Sequence, residues 1–171
     1  MTAAKQRDAI ALLKADHREV EELFEKFQSA KGHGRKKALA EQICLELTLH
    51  TKLEEEIFYP ACEGAVDDDL LNEARVEHDA AKVLVAEIEA GGADEAFYDA
   101  KVTVLSEMIK HHVKEEEKPG RGTFSQARSA ALDLKGLGLQ VAEEKERLKA
   151  AVEKQGLPTP ETPMLEVTKL R

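Results

Sequence analysis

Two parts of this chain repeat each other, and the repeat puts a histidine at matching points of four apolar stripes. At one constant offset, the stripe around His17 matches a second stripe around His78, position by position. At an offset that is one position longer, a stripe centred on a His-x-x-x-Glu pair at 50–54 matches another at 112–116. The matched stripes are Ile10, Leu13, His17, Val20, Phe24 and Phe27 with Leu71, Ala74, His78, Ala81, Val85 and Ile88, and Ile43, Leu47, His50, Glu54 and Ile57 with Leu105, Ile109, His112, Glu116 and Pro119.

Each stripe alternates steps of three and four residues, which is typical of the core-facing side of a packed helix. Turn signals rich in Gly, Pro and Asp separate the stripes, and Asp67 and Asp94 are placed to cap the helices that follow them. Because short connections make consecutive helices antiparallel, the sequence predicts an all-α fold, an up-down-up-down four-helix bundle with an additional C-terminal helix. The predicted helices cover residues 3–31, 35–62, 68–90, 94–117 and 124–155.

The predicted domain organisation has three parts: a bundle over residues 1–118, a C-terminal helical extension over 119–155, and an extended or disordered tail over 156–171. Pro60 should end or bend the second helix. Gly136 and Gly138 should kink or split the fifth helix. Since the fifth helix has an apolar stripe of its own, it could pack on the bundle or form a homodimer.

Composition narrows the class of partner. The formal net charge of -9 repels phosphate, which argues against nucleic acid, and no basic block suggests binding to an anionic membrane. No apolar run approaches the roughly 20 residues that cross a bilayer, and the N-terminal segment lacks the pattern of a signal peptide. We therefore expect a cytoplasmic protein. Cys44 and Cys62 fit no metal-binding spacing and are expected to be small buried side chains.

The four histidines are expected at one level of the bundle. His17 and His50 each lie about 24 Å from the turn between their helices, at 1.5 Å per residue, and the other pairs agree within about one helical turn. The i to i+4 spacing puts each Glu on the same face as its His. Because buried imidazoles and carboxylates are costly unless they are satisfied, we predict a site for two metal ions. Its predicted ligands are His17, His50, Glu54, His78, His112 and Glu116.

Imidazole and carboxylate ligands without thiolates suit iron or manganese better than structural zinc. Two histidines per ion, with both glutamates bridging, leave open positions for an oxo or hydroxo bridge, water, O2, peroxide or NO. The sequence therefore predicts a metal site that accepts a small exogenous ligand.

Other polar residues near the stripes are assigned outer positions. Glu21 lies one turn after His17 and Glu46 one turn before His50, so both are candidates for supporting contacts around the ligands. Tyr59 lies off the inward stripe and is interpreted as a packing or surface residue. The residues expected to face solvent or to lie outside the site are His33, His111, Glu55, Glu56, Glu115 and Glu117.

Four segments in order resemble a bacterial hemerythrin-like domain of the HHE cation-binding type, over roughly residues 8 to 117. The segments are DHREVEELF, HTKLEEEIFYP, EHDAAKVL and HHVKEEE. The resemblance implies two iron ions, oxo- or hydroxo-bridged, that are held by the six residues named above. Oxygen-carrying members have a His-x-x-x-His pair on the third helix, whereas this chain has Ala74 and Lys82 at that spacing from His78. Carriers also place a carboxylate at the position of Glu117, but the internal repeat favours Glu116.

We therefore expect a non-haem di-iron protein that binds or reacts with O2, peroxide or NO, either in catalase-like peroxide breakdown or in sensing. No inward acid or base beyond the ligands is recognisable, so the sequence assigns no catalytic proton donor. The alternative is a non-enzymatic iron or redox sensor, or an iron-binding module. A bundle with structural zinc or without metal is a third and weaker interpretation.

Overall fold

Helices account for the regular structure of residues 7–165, which are the residues that the computed structural model describes. A π-helical turn, Glu54–Phe58, joins the second helix to the third, so that these two continue in one direction. The described part of the chain contains no strand. The helices are α1 (Ala9–Ser29), α2 (His33–Leu53), α3 (Tyr59–Cys62), α4 (Asp68–Ala90), α5 (Tyr98–Glu116), α6 (Thr123–Ser129) and α7 (Leu134–Gln155).

The bundle consists of α1, α2, α4 and α5. Helix α1 packs against α2 and α5, and α4 packs against the same two helices, which closes a four-membered ring around one core. The connections between consecutive helices are short, so neighbours along the chain are antiparallel. The predicted all-α four-helix bundle with additional C-terminal helical structure is confirmed.

The apolar core forms two clusters with a polar layer between them. One cluster includes Phe24, Phe27 and Leu105, and the other includes Leu13 and Leu71. Nearly every residue of the four predicted stripes is buried, as the spacing of three and four requires. The two exceptions are Ile57, which is half-buried, and Pro119, which is exposed.

Helix starts follow the capping residues in part. The Asp8 carboxylate accepts from the backbone N–H of Ala11 and caps α1, while the predicted residues 3–6 lie outside the described part of the chain. Asp67 caps α4 as predicted. Asp94 does not cap α5, which was predicted to start there. Instead, the backbone turns through residues 91–97, and α5 begins only at Tyr98.

The predicted fifth helix is divided in two, but not at its glycines. The break falls at residues 130–133, and Asp133 then caps α7 by accepting from the N–H of Gly136. Gly138 serves packing instead, because a Cβ atom there would lie 2.5 Å from the backbone oxygen of Arg7. This close approach lets α7 cross the beginning of α1, and α7 also packs against α2.

The chain after α7 turns back over the bundle without regular structure. The ammonium group of Lys82 donates to the backbone oxygen of Glu161 at 3.1 Å, and the N–H of Met164 donates to Oδ2 of Asp79 at 2.6 Å. Residues 161–164 therefore lie against α4, and 166–171 fall outside the described residues. Within residues 7–165, no helix has the length and apolar character that crossing a bilayer requires.

Candidate metal centre

The four stripe histidines meet in the layer between the two apolar clusters. His17 and His50 bring their Nε2 atoms to 3.1 Å, and His78 and His112 bring theirs to 3.2 Å. All four side chains are at most 5% exposed. The bundle therefore holds two imidazole pairs, each contributed by two neighbouring helices.

The two stripe glutamates connect the imidazole pairs. Oε1 of Glu54 lies 3.2 Å from Nε2 of His50, and its Oε2 lies 3.1 Å from Nε2 of His78. Oε2 of Glu116 lies 3.4 Å from Nε2 of both His17 and His112. Each carboxylate thus contacts one imidazole of each pair and links the two pairs.

The donor atoms form two groups that could each hold one ion. His17, His50, Glu54 and Glu116 offer atoms that lie within 4.8 Å of one another, and Glu54 offers an atom to a second such group with His78 and His112. The structure therefore brings together all six residues that the sequence singled out. A third group, Glu73, Glu77 and His111, lies at the surface.

Each imidazole has a carboxylate on its outer side. The carboxylates of Glu117 and Glu55 lie 2.7 Å and 3.0 Å from Nδ1 of His17 and His78. Those of Asp16 and Glu77 lie 3.4 Å and 3.5 Å from Nδ1 of His50 and His112. A carboxylate at Nδ1 favours the tautomer with the proton on Nδ1, so we assign the Nε2 lone pairs to the interior.

Three of the outer carboxylates also contact a basic side chain. Arg18 lies 2.7 Å from Glu117, Lys82 lies 2.9 Å from Glu55, and Lys145 lies 2.5 Å from Asp16. Lys145 belongs to α7, so this helix stabilises the orientation of His50 through Asp16. The fourth carboxylate differs, because Oε2 of Glu77 is buried without a hydrogen-bond partner among the described residues.

The outer carboxylates follow the same internal repeat as the ligands. Their matching positions are a sequence signal from which they could have been identified. Asp16 matches Glu77 at the offset that relates the first pair of stripes, and Glu55 matches Glu117 at the offset of the second pair. The prediction that Glu55 and Glu117 lie on a solvated face is wrong. Both are adjacent in sequence to an inward glutamate, and the helix turns them toward the outer nitrogen of an imidazole on a neighbouring helix.

The interior of the site favours a positive charge. Burial opposes protonation of His50, but the charge of Glu54 and the hydrogen bond to Asp16 outweigh burial and raise its pKa to about 10. Burial opposes protonation of His112 as well, and the charge of Glu116 outweighs it and raises the pKa of His112. Oε1 of Glu54 and Oε2 of Glu116 have no hydrogen-bond partner among the described residues. A cation in either donor group would satisfy the facing Nε2 lone pairs and these oxygens.

Tyr59 is a member of the site, which corrects the prediction that it packs elsewhere or lies at the surface. Its side chain is 0% exposed, and its hydroxyl group contacts Glu116 at 2.7 Å and Glu54 at 2.9 Å. The reason is the π-helical turn, in which the N–H of Tyr59 donates to the carbonyl of Glu54, five residues back. One extra residue per turn shifts the side-chain direction by about 100°, so Tyr59 points inward.

Pro60 explains why the π turn occurs at this place. A proline has no N–H to donate and crowds the carbonyl four residues earlier, so a regular α-helix cannot continue through it without strain. The wider turn before Pro60 accommodates the ring, and the helix then ends at Cys62. The expectation that Pro60 bends or ends the helix is confirmed, but the consequence for Tyr59 depends on packing.

The two remaining predicted carboxylates have other partners. Glu21 forms an ion pair with Arg18 at 3.2 Å. Glu46 is buried and accepts a hydrogen bond from Gln42 at 3.0 Å. Within the described residues, neither is hydrogen-bonded to one of the four imidazoles.

Helix α6 covers one end of the site. The ring of Phe124 stacks on the imidazole of His17, with 5.7 Å between ring centroids and an interplanar angle of 14°. Phe124 also meets Phe58 edge to face at 5.5 Å. The sequence carries no sign of this contact, since no periodic pattern links α6 to the bundle.

Comparisons with known proteins bear on the family and the fold of the chain. Residues 8–119 match the family model described as the hemerythrin HHE cation binding domain. A crystal structure of a hemerythrin HHE cation binding domain-containing protein from Mycobacterium kansasii superposes with a TM-score of 0.71 at 20% identity, covering 88% of this chain and 94% of that one. A protein named DNA nickase from Nostoc sp. is 26% identical over 106 residues, which are 62% of this chain. This chain spans 30% of the length of that relative.

Proposed function

The chain belongs to the hemerythrin family of HHE cation-binding domains, and on this basis we propose that its central layer binds two iron ions that react with O2, peroxide or NO. The observation that carries the proposal is the pair of buried carboxylates between two imidazole pairs. Oε1 of Glu54 and Oε2 of Glu116 lack a hydrogen-bond partner among the described residues and lie against the facing Nε2 atoms.

The donor set fits iron. Four imidazole nitrogens and two carboxylates form a mixed nitrogen and oxygen set of intermediate softness, which suits iron or manganese. Both cysteines are kept out of the set, since Cys44 and Cys62 are buried in the apolar clusters. His17, His50, Glu54 and Glu116 would hold one ion, and His78 and His112 would hold the other with Glu54.

The outer carboxylates orient the ligands and increase their basicity. The carboxylate of Glu55 is hydrogen-bonded to Nδ1 of His78 and to the ammonium group of Lys82. The imidazole is therefore oriented before an ion binds. Loss of such a hydrogen bond around a metal site lowers the metal affinity by roughly 10–100-fold. Equivalent contacts of Glu117 with His17 and of Asp16 with His50 preorganise two further ligands.

Two iron ions in such a site supply open coordination positions and electrons for a small oxidant. The contribution of the chain is to hold donors, exclude water and position a proton. Tyr59 is placed for the last of these roles, since its hydroxyl group donates to Oε1 of Glu116 and is fully buried. Tyr59 is therefore our candidate for the inward proton donor that the sequence did not reveal.

Metal stoichiometry tests the proposal. The wild-type chain, reconstituted with ferrous iron without oxygen, should retain two iron ions after desalting. Glu54→Gln should lose iron from both groups, and His78→Ala should retain about one ion, because only one group contains His78. The control is His33→Ala, which removes an exposed imidazole that belongs to none of the candidate donor groups and should retain two. Equal iron contents in all four proteins would contradict the proposal.

Reactivity is tested with the loaded protein. Addition of O2 or peroxide should produce near-ultraviolet and visible absorption from a ferric pair, and NO should produce a separate chromophore with the ferrous form. Release of O2 from peroxide above the rate of free iron would identify a catalase-like activity. Binding without turnover would instead favour the non-enzymatic sensor, and the melting temperature should then rise on iron loading.

A further inference from the structure

A cavity of about 250 Å³ lies between the bundle and the C-terminal segment, beside the metal centre. Its inner wall is formed by α2, α4 and α5, and its outer wall by the proline-rich segment 158–163. Leu47, Ala81 and Val85 are among its apolar residues, and Pro158 and Pro160 cover them from outside. The cavity is therefore a largely apolar space that the chain itself covers.

A smaller chamber of about 10 Å³ lies among the four imidazoles. Its remaining walls are mainly apolar, with Val20 and Val113 on two sides. A volume of this size holds about one water-sized molecule. The chamber is thus the space in which a small exogenous ligand would meet the centre.

The cavity and the chamber share three wall residues, Leu47, Thr51 and Ile109. Leu47 is 3% exposed, and Ile109 is 7% exposed. The hydroxyl group of Thr51 donates to the carbonyl of Leu47 at 3.0 Å, so it is satisfied within its own helix. A single apolar layer of side chains therefore separates the two spaces.

The segment that covers the cavity is hydrogen-bonded to residues close to the ligands of the same centre. Lys82 donates both to the backbone of Glu161 and to the carboxylate of Glu55, which holds His78. Asp79 accepts from the N–H of Met164 and also pairs with Lys82. The position of the segment is thus fixed by groups next to the ligands.

Five charged side chains also line the cavity, and four of them form two ion pairs. Lys52 lies 3.2 Å from Glu56, and Lys82 lies 2.9 Å from Glu55. Because Glu161 adds a third carboxylate, which repels anions, and the wall behind the ion pairs is apolar, the cavity disfavours charged ligands. It favours a small uncharged molecule that needs no hydrogen bonds during passage.

We propose that this covered cavity is the route by which a small uncharged diatomic molecule, O2 or NO, reaches the metal centre, with Leu47, Thr51 and Ile109 as its inner gate. The route rests on the proposed di-iron function and narrows it, because a hydrogen-bonding oxidant such as peroxide is disfavoured by the apolar layer. Rotamer changes of the gate residues are sufficient for passage, since only one side-chain layer intervenes.

The test is the association rate of NO with the reduced, iron-loaded full-length protein, measured by stopped-flow absorption. Ile109→Ala opens the gate and should raise the rate by about tenfold, within the range that association rates cover among variants of one site. Ile109→Phe should lower it by a similar factor. The matched control is Val102→Ala, a truncation in the same helix at a buried residue that lines neither space, and its rate should equal that of the wild type.

The covering segment is tested by replacing Pro158, Pro160 and Pro163 with glycine in the full-length chain. Glycine increases the freedom of the segment, so NO should associate faster while the final spectrum and the iron content stay unchanged. A wild-type protein that forms no NO chromophore would overturn the di-iron function itself. A normal chromophore with equal rates in all variants would overturn only the route.

Xenon provides a measurement that needs no variant. Because xenon enters apolar cavities, crystals of the wild-type protein under xenon pressure should show an atom between Val85 and the proline segment. Absence of xenon from this space would also overturn the route.

Discussion

The hydroxyl group of Tyr59 donates to Oε1 of Glu116 at 2.7 Å, and Oε2 of Glu54 lies 2.9 Å from the same hydroxyl oxygen. One phenol thus contacts both of the carboxylates that connect the imidazole pairs. Since Tyr59 comes from α3 and Glu116 from α5, the contact also fixes two helices to each other at the level of the site.

Replacing Tyr59 with phenylalanine should destabilise the metal-free protein by about 1–3 kcal/mol, because hydrogen bonds to buried carboxylates are lost without compensation. The free energy of unfolding from urea denaturation measures this change. Tyr98→Phe is the matched control, since Tyr98 is also buried but its hydroxyl group forms no hydrogen bond among the described residues. A loss of equal size in both variants would show that the Tyr59 hydroxyl makes no special contribution.

Removing the charge of Glu55 should weaken iron binding by roughly 10–100-fold, because Glu55 orients His78 through Nδ1. Competition with a chelator measures the affinity of Glu55→Gln. The neighbouring Glu56→Gln removes the same charge from a side chain that faces solvent and pairs with Lys52. Equal affinities for the two variants would exclude an orienting role for Glu55.

Two glycines should respond in opposite directions to alanine. Gly138→Ala should destabilise the protein by about 1–3 kcal/mol, because the new Cβ atom would lie 2.5 Å from the backbone oxygen of Arg7. Gly34→Ala should stabilise α2 by up to about 1 kcal/mol, since nothing lies within 4 Å of a Cβ atom there. Thermal unfolding of both variants checks the prediction, which fails if Gly138→Ala melts at the wild-type temperature.

Phe97 carries strain that glycine should remove. Its φ of 72° lies in the left-handed region, which costs a bulky residue roughly 1–2 kcal/mol, and its side chain is 77% exposed. Phe97→Gly should therefore raise the free energy of unfolding by about 1 kcal/mol. As a control, Val104→Gly alters an exposed position inside α5, the helix that follows Phe97, and should lower stability by about the same amount. Destabilisation by Phe97→Gly would show that the ring contributes contacts that outweigh the strain.

The two cysteines should resist alkylation in the native protein at mildly alkaline pH. Burial and the charges of Glu116 and Glu54 raise the pKa of Cys62 to about 12, and burial raises the pKa of Cys44 as well. Because the thiolate is the reactive form, both thiols should react only on unfolding. Mass spectrometry after iodoacetamide treatment, with and without urea, measures this. Rapid labelling without urea would contradict the burial of the thiols.

The sequence alone determined the bundle and the six inward polar residues. The reason is that both depend on short-range periodicity. Steps of three and four residues define the buried face of each helix, and the internal repeat aligns His17 with His78 and His50 with His112. Turn residues then fix the order and direction of the helices, which places the histidines at one depth.

The internal repeat also includes the carboxylates that surround the imidazoles. Their contacts cannot be predicted without knowing how the helices pack. Asp16 and Glu77 precede inward histidines, yet each contacts the imidazole of a different helix, His50 and His112. A residue beside the inward stripe points to the boundary between two helices, and the rotation of those helices decides whether it meets solvent or a neighbour.

Only the tertiary structure decided the position of Tyr59, the division of α6 from α7, and the path of residues 156–165. The π-helical turn before Pro60 changes the phase of the helix, so counting residues from Glu54 assigns Tyr59 to the wrong face. The path of α7 across α1 and that of the covering segment depend on contacts with distant parts of the chain, such as Gly138 with Arg7 and Lys82 with Glu161. Local spacing cannot encode these contacts, because their free energy arises only after the bundle has formed its surface.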